Sequence, residues 1–204
     1  MEIYSTEEQQ VEAIKRFWKE YGVSIIGGAV LGLGGLFGWN TYQDHLVGKA
    51  EQASAAYGRV IEQAGQSQDA LDTAVAQFQN EYGESGYGPL SQLLLARAAV
   101  EAGDLAKAET LLTEVLPSMD STTAPMVTLR LARVQLAQDK LDAAQATLEK
   151  VTSEAFAAQR EELKGDVLVK KGEMDAARAA YQSALDAGGA QTSPALQMKL
   201  DDLA

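Results

Sequence analysis

The sequence predicts an all-α protein: a single N-terminal transmembrane helix followed by a solenoid of helical hairpins. Three observations predict it. Tyr21–Gln43 carries no formal charge. From residue 44 onward Ala, Gln, Leu and Glu dominate, and the whole chain of 204 residues has 4 prolines, a composition that favours helix. A short register then recurs three times, beginning at Leu95, Leu131 and Lys164, in steps of 36 and 33 residues.

The uncharged stretch defines residues 21–43 as a span. At 1.5 Å per residue a helix there covers roughly 34 Å, enough for a hydrocarbon layer of ~30 Å. Its glycines disfavour helix in water, whereas in lipid the backbone has no solvent to turn to. Trp18 and Tyr21 stand before it and Trp39 and Tyr42 after it, where amphipathic rings meet lipid headgroups. Lys15, Arg16 and Lys19 precede the span, while Asp44, His45, Lys49 and Glu51 follow it. The positive-inside rule then predicts a cytoplasmic N-terminus and a far-side location for everything after residue 43. The leader is mixed in charge, and the nearest small-x-small triplet, Ala53-Ser54-Ala55, lies well past Trp39. The segment therefore reads as an uncleaved signal anchor. Within it Ser24, Gly28 and Gly32 fall four apart with Gly35 continuing the face, a candidate surface for close packing of another membrane helix. Gly34 and Gly38 form a second such pair.

Residues 1–20 form a cytoplasmic segment. Thr6 and Gln9 have the spacing of a capping box, and Val11, Ile14, Phe17 and Trp18 recur at helical spacing. A docking element and a plain anchor flank are both open readings. Residues 44–87 read as a degenerate first hairpin. Its first helix places Leu46, Ala50, Ala53, Tyr57, Val60, Ile61 and Ala64 on one side. A turn at residues 65–69 leads to a second helix reaching Tyr82 with Leu71, Val75 and Phe78, and then to a loop over residues 83–89.

Residues 88–204 carry the repeats. Periods near 34 with paired helices mark tetratricopeptide-like units. Ala96, Ala132 and Gly165 are small where the helices of a pair cross, and Gly103, Asp139 and Gly172 stand at a turn needing a left-handed or open backbone. Leu105, Leu141 and Met174 begin the second helix's apolar face. Ala108, Ala144 and Ala177 are again small, and Leu112, Leu148 and Tyr181 are larger plugs one turn on. The usual tryptophan is missing from each unit, and the terminal proline is absent or shifted to Pro117. Gly188-Gly189 ends a helix. Ser193 and Pro194 then open a closing helix whose Leu196, Leu200 and Leu203 cover the last repeat's apolar flank.

Chemistry is sparse. There are no cysteines, which excludes thiolate catalysis, disulfides and Cys-ligated metals. The one histidine, His45, has no ligand-type neighbours at metal spacing, and no P-loop, dinucleotide or nucleophile-elbow pattern occurs. Glu161, Glu162 and Asp166 read as solvated carboxylates on helices. No enzyme activity and no cofactor are expected. The net charge is -12, of which residues 1–43 account for little, with Lys15, Arg16 and Lys19 set against Glu2, Glu7, Glu8, Glu12 and Glu20. A domain this acidic repels phosphate backbones, so nucleic acid is not an expected partner.

What remains is a binding surface. In a solenoid the first helices line the concave side. The register places Leu93, Arg97 and Val100 there, then Leu129, Arg130, Arg133 and Leu136, then Leu163, Asp166 and Val169. Arg97 and Arg133 occupy equivalent positions. Either they hold a partner's carboxylates while leucines take apolar side chains, or they pair with neighbouring acids.

The opening Met1-Glu-Ile-Tyr4, the run Gln10–Phe17, the glycine-rich span ending Gly38-Trp39, the run Leu129–Gln135 and the stretch Gln197–Leu200 together resemble the YfgM family, the ancillary subunits of the SecYEG translocon. The resemblance runs from first residue to last. It implies a protein of the Gram-negative inner membrane with a periplasmic repeat domain. It also implies association with SecYEG and with the membrane-anchored periplasmic chaperone PpiD, and a part in handing translocating polypeptides to periplasmic chaperones. It brings no catalytic residues and no defined binding site. A membrane-tethered scaffold or regulator binding one signalling or envelope-assembly partner is the alternative reading.

Overall fold

The computed structural model describes residues 7–203. Among them there is no strand, and the helices are α1 (Glu7–Ala64), α2 (Gln68–Tyr82), α3 (Gly88–Glu101), α4 (Leu105–Val115), α5 (Ala124–Ala137), α6 (Leu141–Leu148), α7 (Ala157–Lys171), α8 (Met174–Asp186), α9 (Gly189–Thr192) and α10 (Leu196–Asp201). Short 3₁₀ turns at Leu116–Ser118 and Glu154–Phe156 close two of the hairpins. The chain divides into two compact units, one ending at Gln52 and the other beginning at Ala53.

The first unit is a stretch of α1, and α1 is the described helix long and apolar enough to cross a membrane. Its apolar side chains are bare, with Val23 85 % and Phe37 78 % exposed. A core helix of a soluble body would hide them, and an unbroken apolar surface of this kind suits hydrocarbon. The flanking aromatics pack along the helix, Phe17 on Tyr21 with ring centres 5.2 Å apart and Trp39 on Tyr42 at 6.3 Å. Thr6 of the expected capping box lies outside the described residues.

The second unit begins within α1. The buried face there is Ala53, Ala56 and Val60, not the broader face expected, and Leu46, in the first unit, and Ile61 are exposed. Burial is set by what α1 packs against. Ala56 and Val60, with Tyr57 partly buried beside them, meet Leu71, Val75 and Phe78 of α2 and Leu95 of α3. Tyr57 stacks on Tyr87 and meets the edge of Phe78. Helix α2 starts where Ser67 Oγ accepts the Ala70 N–H at 3.2 Å. Its end is tied to α3 by Gln79, whose Nε2 donates to Gly88 O and to Ser91 Oγ, each at 2.7 Å. Gly88 has no room for a side chain, because a Cβ would sit 2.0 Å from Gly83 O.

Three hairpins follow, α3–α4, α5–α6 and α7–α8, in the expected register. The turn residues Gly103, Asp139 and Gly172 all have positive φ, at 80°, 58° and 80°. Ala108, Ala144 and Ala177 are 0 % exposed, and Leu112, Leu148 and Tyr181 are each 3 % exposed. Met174 differs from Leu105 and Leu141. It is exposed, since the third hairpin has α9 and α10 beyond it instead of another full hairpin. The third crossing also departs in size. Gly165 lies so close to the Tyr181 ring that a Cβ would come within 2.3 Å of it, so the larger plug requires the smaller partner.

Charged ties join each hairpin to its neighbour. Lys107 reaches back to Asp72 at 2.7 Å, Lys140 to Glu109, Lys170 to Asp139, and Lys171 to Asp142 at 2.7 Å. The last such tie is Lys199 on α10, which contacts Glu162 at 2.9 Å and Asp166 at 2.8 Å. Glu161, by contrast, pairs locally with Arg160 at 2.9 Å. Glu162 and Asp166 are thus clamps and Glu161 is paired within its own helix, not the solvated faces expected. Gly188 turns the chain with φ 86°, and Leu196 is fully buried against Tyr181 and Ala184, closing the flank. Ser193 does not cap this helix. Its N-cap is Ala195, and Ser193 Oγ donates instead to Glu162 at 2.8 Å.

Candidate protein-binding groove

The groove is built from the outer faces of α3 and α5. Successive positions Leu93, Arg97 and Val100 stand one turn apart on α3, and Arg130, Arg133 and Val134 face them from α5. Ala96 and Leu112 complete the floor of a depression of about 480 Å³. Three guanidiniums and one carboxylate, Glu101, therefore share a small apolar-floored space in a chain of net charge -12.

The three arginines differ in the partners they have within the chain. Arg97 Nε donates to Glu101 at 2.8 Å, but the two side chains are 73 % and 61 % exposed. An exposed i,i+4 pair contributes about 0.3–0.5 kcal/mol, so Arg97 leaves it readily. Arg130 contacts the sulfur of Met126 at 3.7 Å. Arg133 has no hydrogen-bond or ion-pair partner among the described residues, and it also borders a second cavity beside α7.

Not every residue expected on this surface is there. Leu129 is 2 % exposed, and with Ala132 it packs on Leu148, Leu163 and Val167. Leu136 is partly buried against the same cluster. The reason is helical phase: positions 129, 132 and 136 of α5 face the following hairpin, whereas 130, 133 and 134 face α3. Leu163 is likewise core. Val169 is half-buried against the closing helix. Asp166 is not available either, because it accepts from Tyr181 Oη at 2.8 Å and from Lys199 Nζ at 2.8 and 2.9 Å. Burial disfavours the Lys199 charge, yet the hydrogen bonds it donates to Asp166 and Glu162 more than offset this and raise its pKa. Burial and the Asp166 hydrogen bond likewise push the Tyr181 phenol up. The cluster is thus an ionic lock on α10.

Sequence reasoning missed Lys199 and the other clamp lysines. The signal was present as acid–lysine pairs separated by about one repeat, such as Asp72–Lys107 and Asp166–Lys199. On the membrane side, Ser24, Gly28, Gly32 and Gly35 are exposed on α1, and space is open where a Cβ would sit on each of the three glycines. Gly22 differs, since Trp18 lies over it at 3.4 Å. Among the described residues no cluster of His, Asp or Glu is placed to hold a metal ion.

A family model described as a tetratricopeptide repeat-like domain matches residues 15–204. The chain is 36 % identical over 208 residues to the ancillary SecYEG translocon subunit of Escherichia coli, covering 100 % of this chain and 99 % of that one. It is 35 % identical over 198 residues to the ancillary SecYEG translocon subunit of Haemophilus influenzae, covering 97 % of each. Among solved structures, the MamA RS-1 ArsTM double mutant superposes with a TM-score of 0.54 at 18 % identity, over 76 % of this chain and 94 % of that chain. At that identity the likeness is one of fold. The chain belongs to the family of ancillary SecYEG translocon subunits.

Proposed function

We propose that this protein is a non-enzymatic ancillary subunit of the SecYEG translocon that binds proteins through its repeat domain. In this reading α1 holds it in the bacterial inner membrane as a single-pass protein. Residues 1–20 are cytoplasmic, residues 21–43 cross the bilayer, and the repeat domain after them is periplasmic. There it receives translocating polypeptides and passes them to periplasmic chaperones, with PpiD as its membrane-anchored partner. The observation that carries the reading is near-end-to-end similarity to relatives bearing the translocon-subunit name. The physical features agree with that role. One bare apolar helix lies in the same chain as a repeat array, and the array offers an apolar groove rimmed by arginine. The face made by Ser24, Gly28, Gly32 and Gly35 supports helix contact within the membrane.

In-membrane photocrosslinking tests the proposal, with probes at Gly28 or Gly32 and at Arg133. The expected result is adducts to translocon subunits from the span, and adducts to exported chains or PpiD from the groove. Solubilised membranes in which the protein copurifies with a single unrelated partner, without SecYEG and without client adducts, would replace this reading with that of a tethered scaffold.

A further inference from the structure

Arg133 lines more than the groove between α3 and α5. The same side chain borders a polar cavity of about 240 Å³, lined also by Gln159, Glu162, Asp166, Ser193 and Lys199. Most polar groups of that cavity are used within it, Lys199 by both acids and Ser193 by Glu162. Gln159 Oε1 is the exception, a buried acceptor with no donor among the described residues. The groove therefore makes two demands on an occupant: an apolar floor, and a patch of under-used positive charge at Arg130 and Arg133.

We infer that this groove selects polypeptide segments in which an acidic side chain stands beside apolar ones. The apolar side chains rest on Leu93 and Val100, and the carboxylate meets Arg133 and Arg130. A basic segment is rejected by three guanidiniums in one small space. This rests on the reading that the repeat domain binds polypeptide, and names the class it takes.

The test measures binding of fluorescent peptides to the full-length protein in detergent micelles by anisotropy. One peptide alternates Leu and Phe with Glu; a second carries Lys in place of Glu. The variant R130E/R133E alters two exposed side chains, and circular dichroism checks its fold. The expected result is preference for the acidic peptide, a loss of about tenfold or more on charge reversal, and a gain by the basic peptide in the variant. Equal binding of both peptides, unmoved by the variant, overturns the selectivity while leaving polypeptide binding in place. Absence of binding to either peptide overturns the selectivity and, with it, polypeptide capture by the repeat domain.

Discussion

Gly165→Ala is the sharpest probe of the repeat packing, because the rule for glycine in a helix predicts the opposite sign. In a free helix the change stabilises by about 1 kcal/mol. Here the new methyl would stand 2.3 Å from Tyr181 Cε1 and 2.4 Å from Cδ1. Ordinary carbon contacts are near 3.5 Å, so the ring has to retreat by roughly 1 Å. Tyr181 is 3 % exposed and its hydroxyl is held by Asp166 at 2.8 Å, which leaves the ring little space. Overpacking of a closed core costs about 1–3 kcal/mol, and a rigid ring belongs at the upper end. The net expectation is a loss of about 2 kcal/mol, or a Tm lower by ~4–8 °C for a unit of this size. Thermal denaturation followed by far-ultraviolet circular dichroism on the full-length protein in micelles reads it. Adding Tyr181→Leu recreates the alanine–leucine crossings of the first two repeats, Ala96 with Leu112 and Ala132 with Leu148. The double variant should recover about 1 kcal/mol over Gly165→Ala despite losing the phenol hydrogen bond. A Gly165→Ala protein as stable as the parent, or strictly additive effects of the two changes, would refute the argument.

Lys199→Ala should free α9 and α10, with faster amide exchange over residues 189–203, unchanged exchange in α3–α5, and a loss of about 2 kcal/mol locally. Asp139→Gly should raise stability by about 0.5–1 kcal/mol in denaturant titration, because the left-handed turn suits glycine and the exposed pair with Lys170 contributes little. The Glu109 carboxyl is held below its usual value by hydrogen bonds, first from Lys140 and, against the opposing effect of burial, from Gln135 and Gln138. Its stabilisation is therefore complete above the unfolded value near 4.5 and is lost as pH falls through the lower folded value, and Glu109→Gln should flatten that part of an acid titration. Because the chain has no cysteine, single cysteines at Gln10 and Ser118 can report topology. A membrane-impermeant maleimide should label position 118 and not position 10 in cells with a permeabilised outer membrane, and the reverse pattern would invert the assigned orientation.

The repeats were legible because the same physical demand recurs at fixed distance. A left-handed turn asks for Gly or a tolerant Asp, and residues 103, 139 and 172 supply them. A tight crossing asks for Ala, and residues 108, 144 and 177 comply. The binding surface was only partly legible, since α5 has neighbours on two sides. Leu129 and Arg130 are adjacent in sequence, yet one enters the core and the other the groove. Asp166 looked like a groove residue because it occupies the position of Arg97 and Arg133, and its partner, Lys199, lies a full repeat away. The inward face of α1 was misjudged for a related reason, as a helical stripe does not say where along its length a neighbour begins.

The lysine clamps also bear on how interchangeable the hairpins are. Each cation answers an anion about one repeat back, yet Lys107, Lys140 and Lys170 stand at different places in the repeat register, so every junction has its own pair. The crossings are generic and the junctions are individual: a hairpin moved to another slot would keep its packing and lose its ionic match.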